Sequence, residues 1–455
     1  MKNLAVQWWQ RLTTHKERPA YTHCASFEEP STQTFTYAQW GKHLQRLSVG
    51  LMERGLEAKK RVGFVAGSAT GWIDLCVATW FAGACVVTCP EGTRRAVLRS
   101  LARSGCDWIV VADAAQLAHL QGTQNQLPPH LKWIVLDPRG VASSEHVMTL
   151  KEVEEAGAYR MRRGGDKWLG PRMYERAPEG VAWIAFSQAH GEDPHGATFN
   201  DAQIARQLEH IAQAASWEDA RVFVGAHFGD STASLLALSA LWTGQQLILG
   251  DELPATLDAL AKLESTHALL PQDILMAHVA AWQAHIQQAP EFLRDATSHA
   301  SEPQGLSGFF GRLGAGAARS ALLEPVFDVW GRALKVLYMP QGHTPEALED
   351  ITDRLQVEVL GLLGCAETGI THMQRPGYAK PSGVGRPVEG VACKLKGTKG
   401  DESGEILVKG QDVMMGYWDK EGPMQPDEHG WLHLGVEGHL QTGFLRLLDP
   451  EKGSS

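Results

Sequence analysis

Hydrophobic positions along the chain switch repeatedly between helical and strand periods. Thr36-Tyr-Ala-Gln39 forms a capping box, in which the Thr hydroxyl and Gln amide can satisfy the first free N–H groups of a helix. Trp40, Leu44, Leu47 and Leu51 then recur at helical spacing, and Gly55 supplies a stop. Short apolar runs at 61–66, 85–89 and 108–112 predict buried strands, with helices over 71–82 and 94–104 between them. Such alternation predicts a parallel sheet covered by helices.

Residues 138–180 show little period and predict a connecting segment. A second α/β unit is predicted from Val181: strands at 181–186, 221–225, 246–249, 334–338 and 357–361, and helices near 201–215 and 231–243. Five glycines in 305–316 predict a flexible loop inside it. From Gly383 onward, short strands alternate with Gly, Asp and Pro turns, which predicts a small β-rich unit. The expected organisation is therefore 1–180, 181–382 and 383–455.

Composition narrows the function classes. With 44% hydrophobic and 21% charged residues the 455-residue chain is ordinary globular material, long enough to fold without disulfide or metal staples. Its formal net charge of −10 argues against nucleic acid as a partner. Seven cysteines, an odd number with no CxxC pair, suit a reducing compartment where Cys serves as a small buried hydrophobe. No apolar run is long enough for a membrane span or a leader, so a cytoplasmic address is expected. The sequence has no GxSxG elbow and no HExxH motif, so neither a hydrolase of that type nor a metal site is expected. The tryptophans, among them Trp40, Trp72, Trp80 and Trp183, are expected in the core.

Several stretches carry a family resemblance. Residues 36–49 followed by 61–66 look like the opening of AMP-forming acyl-CoA synthetases and other adenylate-forming enzymes. Gly383-Val-Gly-Arg-Pro387, Gly404-Glu-Ile-Leu-Val-Lys-Gly410, Val413-Met-Met-Gly-Tyr417 and Gly430-Trp-Leu-His433 are similar to that family's β-rich region in order and spacing. Residues 309–327 look most like the long-chain fatty-acid branch. The resemblance implies two α/β subdomains with parallel or mixed sheets plus a β-rich subdomain, without the mobile C-terminal domain. It also implies ATP and Mg²⁺ as cofactors, and a carboxylate that becomes an acyl adenylate and then a thioester.

Carried over residue by residue, the nucleotide site is heavily altered. The phosphate loop, Gly- and hydroxyl-rich and ending Pro-Lys-Gly in the family, matches Ser187-Gln-Ala-His-Gly-Glu-Asp-Pro-His-Gly196. Pro194 and Gly196 keep the ending. His195 replaces the lysine, His190 and Gly191 replace hydroxyl residues, and Glu192 and Asp193 bring carboxylates to a place meant for phosphate. In Leu363-Gly-Cys-Ala-Glu367, Gly364 and the Mg²⁺-binding glutamate Glu367 remain, but Leu363 replaces the adenine-stacking aromatic and Ala366 a threonine. The adenine loop holds Gly342 behind Pro340. Val436 stands where an aspartate would accept the ribose hydroxyls, and Asp449-Pro450 where a ribose-contacting arginine would follow. Glu367 is as readily a bland surface or hydrogen-bonded residue as a Mg²⁺ ligand. His227, Phe228, Gly364 and Cys365 match the carboxylate pocket, and the small, apolar residues of 231–240 suit one wall of an acyl tunnel or simple core.

Two expectations follow. The first is a pseudo-ligase acting as an acyl-group binder or protein scaffold, with no cofactor. The second is an active ligase with drifted motifs, completed by a separate C-terminal domain and taking an acyl or aryl carboxylate or an acyl carrier.

Overall fold

The computed structural model describes residues 3–24, 32–67, 70–89, 91–122, 127–128, 130–187, 193–250, 258–270, 272–288, 330–340, 356–380, 383–396, 403–419 and 422–448. His190, Gly191, Glu192, Gly342, Asp449, Pro450 and the glycine-rich 305–316 stretch lie outside them.

The fold is mixed α/β, with two helix-flanked, largely parallel sheets and a small antiparallel sheet. Seven strands form the first sheet, in the spatial order Val147–Thr149, Lys132–Val135, Trp108–Val111, Arg61–Phe64, Cys85–Thr88, Val181–Phe186 and Gly196–Asn200. All neighbours run parallel except the final pair. The second sheet has nine strands, in the order Arg386–Pro387, Gly369–Met373, Glu358–Cys365, Val336–Pro340, His267–Leu269, Arg221–Val224, Gln246–Gly250, Pro19–Cys24 and Thr32–Thr36. The third contains Val391–Lys396, Ser403–Gly410, Leu432–Gln441 and Phe444–Leu447.

Strand pairing crosses the boundary expected at residue 180. Val181–Phe186 lies parallel to Cys85–Thr88 and so belongs to the first sheet, whereas Pro19–Cys24 joins the second beside Gln246–Gly250. Local pattern cannot assign a strand to a sheet, because a buried parallel strand looks the same beside any neighbour.

The capping box at Thr36 forms, with Thr36 Oγ1 accepting from Gln39 N–H and Gln39 Oε1 accepting from Thr36 N–H. It starts the helix Tyr37–Glu53, which buries Trp40, Leu44, Leu47 and Leu51. Helix Ser231–Trp242 is buried on every side, consistent with its all-round apolar sequence. All seven cysteines are unbridged and five are buried. Among the described residues no helix is long and apolar enough to cross a membrane.

Residues 138–180 are not a mere connector. They contain the strand Val147–Thr149, the helix Leu150–Met161, a 3₁₀ turn Gly165–Trp168 and the short helix Leu169–Met173. A local signal was there: Thr149 and Glu152 form a second capping box. The helix it starts packs against Tyr37–Glu53 at glycines. A Cβ on Gly157 would overlap the carbonyl of Arg46, and one on Gly50 the carbonyl of Val153. In an open helix Gly→Ala stabilises by about 1 kcal/mol. Here the backbone contact reverses the sign, and Gly157→Ala is expected to lower the thermal midpoint, by an overpacking cost of about 1–3 kcal/mol. An unchanged or higher midpoint would mean the two helices do not touch there.

An ionic node joins the same helices. His43 Nε2 lies 3.2 Å from Asp74 Oδ2, its Nδ1 3.3 Å from Glu154 Oε1, and Trp40 Nε1 donates to Asp74 Oδ1 at 2.7 Å. Burial opposes the charged ring, but the two carboxylates outweigh it and raise the His43 pKa from 6.5 to about 10. A pKa higher in the folded than in the unfolded chain stabilises fully below the unfolded value and is lost as pH rises through the folded one. The node should therefore weaken between pH 6.5 and about 10. Chemical denaturation at both ends of that window should show a smaller stability drop in His43→Gln than in the parent; equal drops would remove His43 from the account.

Candidate functional site

Two of the altered motifs, at 193–196 and 364–368, meet at one seam, where residues 412–418 lie between the two large sheets. The seam is laced by backbone hydrogen bonds. Met414 N–H donates to Glu367 O at 2.9 Å, Met415 N–H to Thr198 O at 2.9 Å, Thr198 N–H to Gly416 O at 3.0 Å and Trp418 N–H to Gly196 O at 2.8 Å. Helix Asp201–Ala215 holds it from behind. Gln203 Nε2 donates to Val413 O at 2.6 Å, and Gln207 Nε2 to Asp412 O at 2.6 Å and Thr368 O at 3.3 Å. Gly369 has φ +63°, and a Cβ there would overlap the Gln207 amide, so both backbone and space require glycine.

At one end of the seam, Pro194 and Gly196 are buried and Asp193 is exposed. His195 is nearly enclosed. Its Nε2 is 3.4 Å from Asp193 Oδ2, its Nδ1 3.6 Å from Asp419 Oδ2, and its ring meets Tyr417 edge-on at 5.5 Å. Arg103, from helix Arg94–Ser104, bonds the same group: NH2 to Asp193 Oδ1 at 2.7 Å, NH1 to Pro194 O at 2.6 Å, and NH1 3.8 Å from Asp419 Oδ2. Ser187 directly follows the strand Val181–Phe186.

Tyr417 links this cluster to the next. Its hydroxyl donates to Glu367 Oε1 at 3.0 Å and accepts from Met424 N–H at 3.3 Å. Glu367 is only 1% exposed, so it is a buried residue and not the surface side chain that was one expectation for it. Burial, then the Glu367 carboxylate, push the Tyr417 hydroxyl well above its ordinary pKa, so it stays a donor. The same two causes raise the Cys365 thiol to about 12. Its sulfur lies 3.2 Å from Thr368 Oγ1.

Other expected positions are not drawn into this cluster. Leu363 is buried in strand Glu358–Cys365, where it pairs with His372. Gly364 permits the tight hairpin, since a Cβ there would press on Gly369 O. Val436 stands apart, exposed on strand Leu432–Gln441. His227 Nδ1 accepts from Gly229 N–H at 2.9 Å, and burial lowers its pKa. Phe228 is fully buried, 5.2 Å from the Trp72 ring.

Among the described residues, one small cavity lies beside the helix expected to wall an acyl tunnel. Ser231, Leu235, Ala366 and Gly369 line a cavity of only 10 Å³, about the room one water needs. None of His227, Phe228, Gly364 and Cys365 lines it. Among the described residues no group of three or more His, Cys, Asp or Glu side chains is placed to hold a metal ion. His429 and His433, four residues apart, instead face Glu428 at 3.5 Å and Glu405 at 3.1 Å.

Tyr417, Arg103, Asp419 and Gln207 were not singled out by sequence. Only Tyr417 carried a signal, as the last residue of a quoted motif. Replacing Glu367 with Ala leaves a buried hydroxyl without its acceptor, and should destabilise by about 1–3 kcal/mol in urea unfolding. Tyr417→Phe should cost at least as much, because it strips a donor from a buried carboxyl group. If Glu367→Ala unfolds at the parent's urea midpoint, the bond between them is not structural.

Comparison with known proteins places this geometry. The family model described as AMP-binding enzyme matches residues 8–418. A long-chain-fatty-acid–CoA ligase of Macaca fascicularis is 24% identical over 456 residues, covering 90% of this chain and 59% of that protein. One from Salmonella typhimurium is 34% identical over 121 residues, 25% of this chain and 21% of the other. The solved long-chain-fatty-acid-CoA ligase from Archaeoglobus fulgidus has a TM-score of 0.72 at 16% identity, over 98% of this chain and 84% of that one. A benzoate CoA ligase from Burkholderia xenovorans gives 0.70 at 17% identity, over 98% and 80%. At such identities the structural likeness shows the fold. The chain spans 59% of the length of the Macaca relative.

Proposed function

The chain belongs to the AMP-binding enzyme family, and we propose that it keeps that family's acyl-CoA ligase fold while lacking nucleotide-dependent ligation, serving as an interaction scaffold or acyl-group binder. The observation that carries this reading is the setting of His195, between Asp193 at 3.4 Å and Asp419 at 3.6 Å where the resemblance expects a lysine for phosphate. A phosphate oxygen about 4 Å from a carboxylate is repelled by about 4 kcal/mol at an effective dielectric of ~20, an upper value here because Arg103 offsets part of the charge and solvent reaches Asp193. Leu363 offers no stacking face, which forfeits ~1–3 kcal/mol. Val436 offers the ribose no acceptor, which forfeits ~1.5–3 kcal/mol. These two losses alone amount to roughly 3–6 kcal/mol, about two to four decades of affinity. Glu367, turned into the protein and bonded to Tyr417, is a poor partner for Mg²⁺. ATP and Mg²⁺ therefore do not fit the residues present, and no step is derived through them.

A second reading has specific support. Pro194, Gly196, Gly364 and Glu367 retain the family's pattern, and the relatives above are named as fatty-acid ligases. An active ligase would need a C-terminal domain in addition to these residues, and would take an acyl or aryl carboxylate. Calorimetric titration with ATP, with and without Mg²⁺, separates the two. The scaffold reading expects no saturation with a Kd below about 0.1 mM, equivalent to ~5.5 kcal/mol. Tighter binding would select the ligase.

A further inference from the structure

A second, larger cavity lies away from the seam's buried end. Its volume is 420 Å³, within the ~300–1,000 Å³ typical of small-molecule sites. It opens where three parallel strands begin: Arg61, Cys85 and Val181 are each the first residue of a strand, and all three line it. Ser187, at the candidate phosphate loop, follows the opposite end of the last of these strands. Val181, Cys85 and the Trp418 ring give it apolar walls.

Its charges are cationic and unevenly neutralised. Arg176, 2% exposed, is paired with Asp201 at 2.5 Å. Asp107 is shared, 2.9 Å from Lys60 Nζ and 3.6 Å from Arg61 NH2. Lys59 makes no ion pair among the described residues. Beyond these pairs, Glu179 acts on Asp201 from the neighbouring loop. The Arg61 guanidinium lies 5.6 Å from the Trp418 ring centroid, so a cation and an aromatic face already meet at the wall.

The Lys59 backbone adds an independent observation. Its φ is +65°, a region that favours Gly or Asn over a long side chain. Its N–H is fixed to Gly83 O at 2.8 Å. Lys59, an exposed residue at the rim of the cavity, thus brings a charge to it from a backbone that a neutral Asn or Gly would occupy with less strain. Burial keeps the neighbouring Cys85 thiol protonated, its pKa raised to about 12, so no thiolate competes for the cations.

We propose that this cavity binds a small aromatic carboxylate, its ring against Trp418 and its carboxylate at Lys59. The inference does not depend on whether the nucleotide site is active. The probe is 2-naphthoate, with 2-naphthalenemethanol as its uncharged counterpart, titrated calorimetrically into the full chain. Lys59→Asn tolerates the left-handed backbone and removes the charge; Trp418→Ala removes the ring. Arg61 is left intact because it also bonds Gly105 O and Asp107. The parent should bind naphthoate saturably, more weakly in high salt, and the alcohol should bind more weakly still. Each substitution should weaken naphthoate by about tenfold, with Lys59→Asn holding or raising the thermal midpoint and Trp418→Ala leaving it near the parent's. Absence of saturable binding by the parent overturns the proposal. So does an affinity unchanged by either substitution, since naphthoate would then sit elsewhere.

Discussion

The buried ion pair between Arg176 and Asp201 is the constraint on which the arrangement of the sheets rests. Both side chains are almost wholly removed from water, which is tolerable only when every polar atom finds a partner. They do so across four segments. Asp201 Oδ2 accepts from Leu4 N–H at 3.0 Å, starting the first helix; Arg176 NH1 donates to Ala84 O; and Asn3 Nδ2 donates to Arg176 O at 3.1 Å. Burial pushes the Asp201 pKa up and Arg176 opposes it. Removing one partner of such a pair costs about 3–5 kcal/mol, because the other is left as an uncompensated charge.

Asp201 also opens the helix that carries Gln203 and Gln207. Those two amides hold the backbone of 412–413 and the 365–368 turn, and the turn presents Glu367 to Tyr417. A chain of fixed contacts therefore runs from the ion pair to the seam where the family would place a nucleotide. At that seam the polar atoms are engaged with one another: Glu367 with Tyr417, and His195 and Arg103 with Asp193 and Asp419. Incoming phosphate would have to displace these contacts as well as bind.

The elements near these contacts differ in how much of them could be read from the chain. The capping boxes at Thr36 and Asn200 and the apolar stripe of Tyr37–Glu53 are local, since each hydrogen bond closes within a few residues. Helix Arg94–Ser104 matches its predicted bounds for the same reason. Helix Leu150–Met161 is hard to read from sequence despite its Thr149 box. Its mixture of Glu, Arg and Gly lacks a strong apolar stripe, and it is held by close backbone approach at Gly157.

By itself the sequence determined the α/β class, many of the strands and helices of the two α/β units, the β-rich final unit and the family, because periodicity, caps and motif order are short-range and survive substitution. Through the resemblance it also implied which nucleotide-site positions differ from the family pattern. Only the tertiary structure decided that Val181–Phe186 closes the first sheet and that Pro19–Cys24 joins the second, since strand partners are chosen by long-range pairing. It alone turned Glu367 inward, set His195 between two carboxylates, shrank the cavity beside Ser231 and Ala366, and brought Lys59, Arg61 and Trp418 around another. Most of those outcomes depend on side chains from about fifty to several hundred residues apart meeting within a few ångströms, and nothing in a local stretch of sequence encodes that distance.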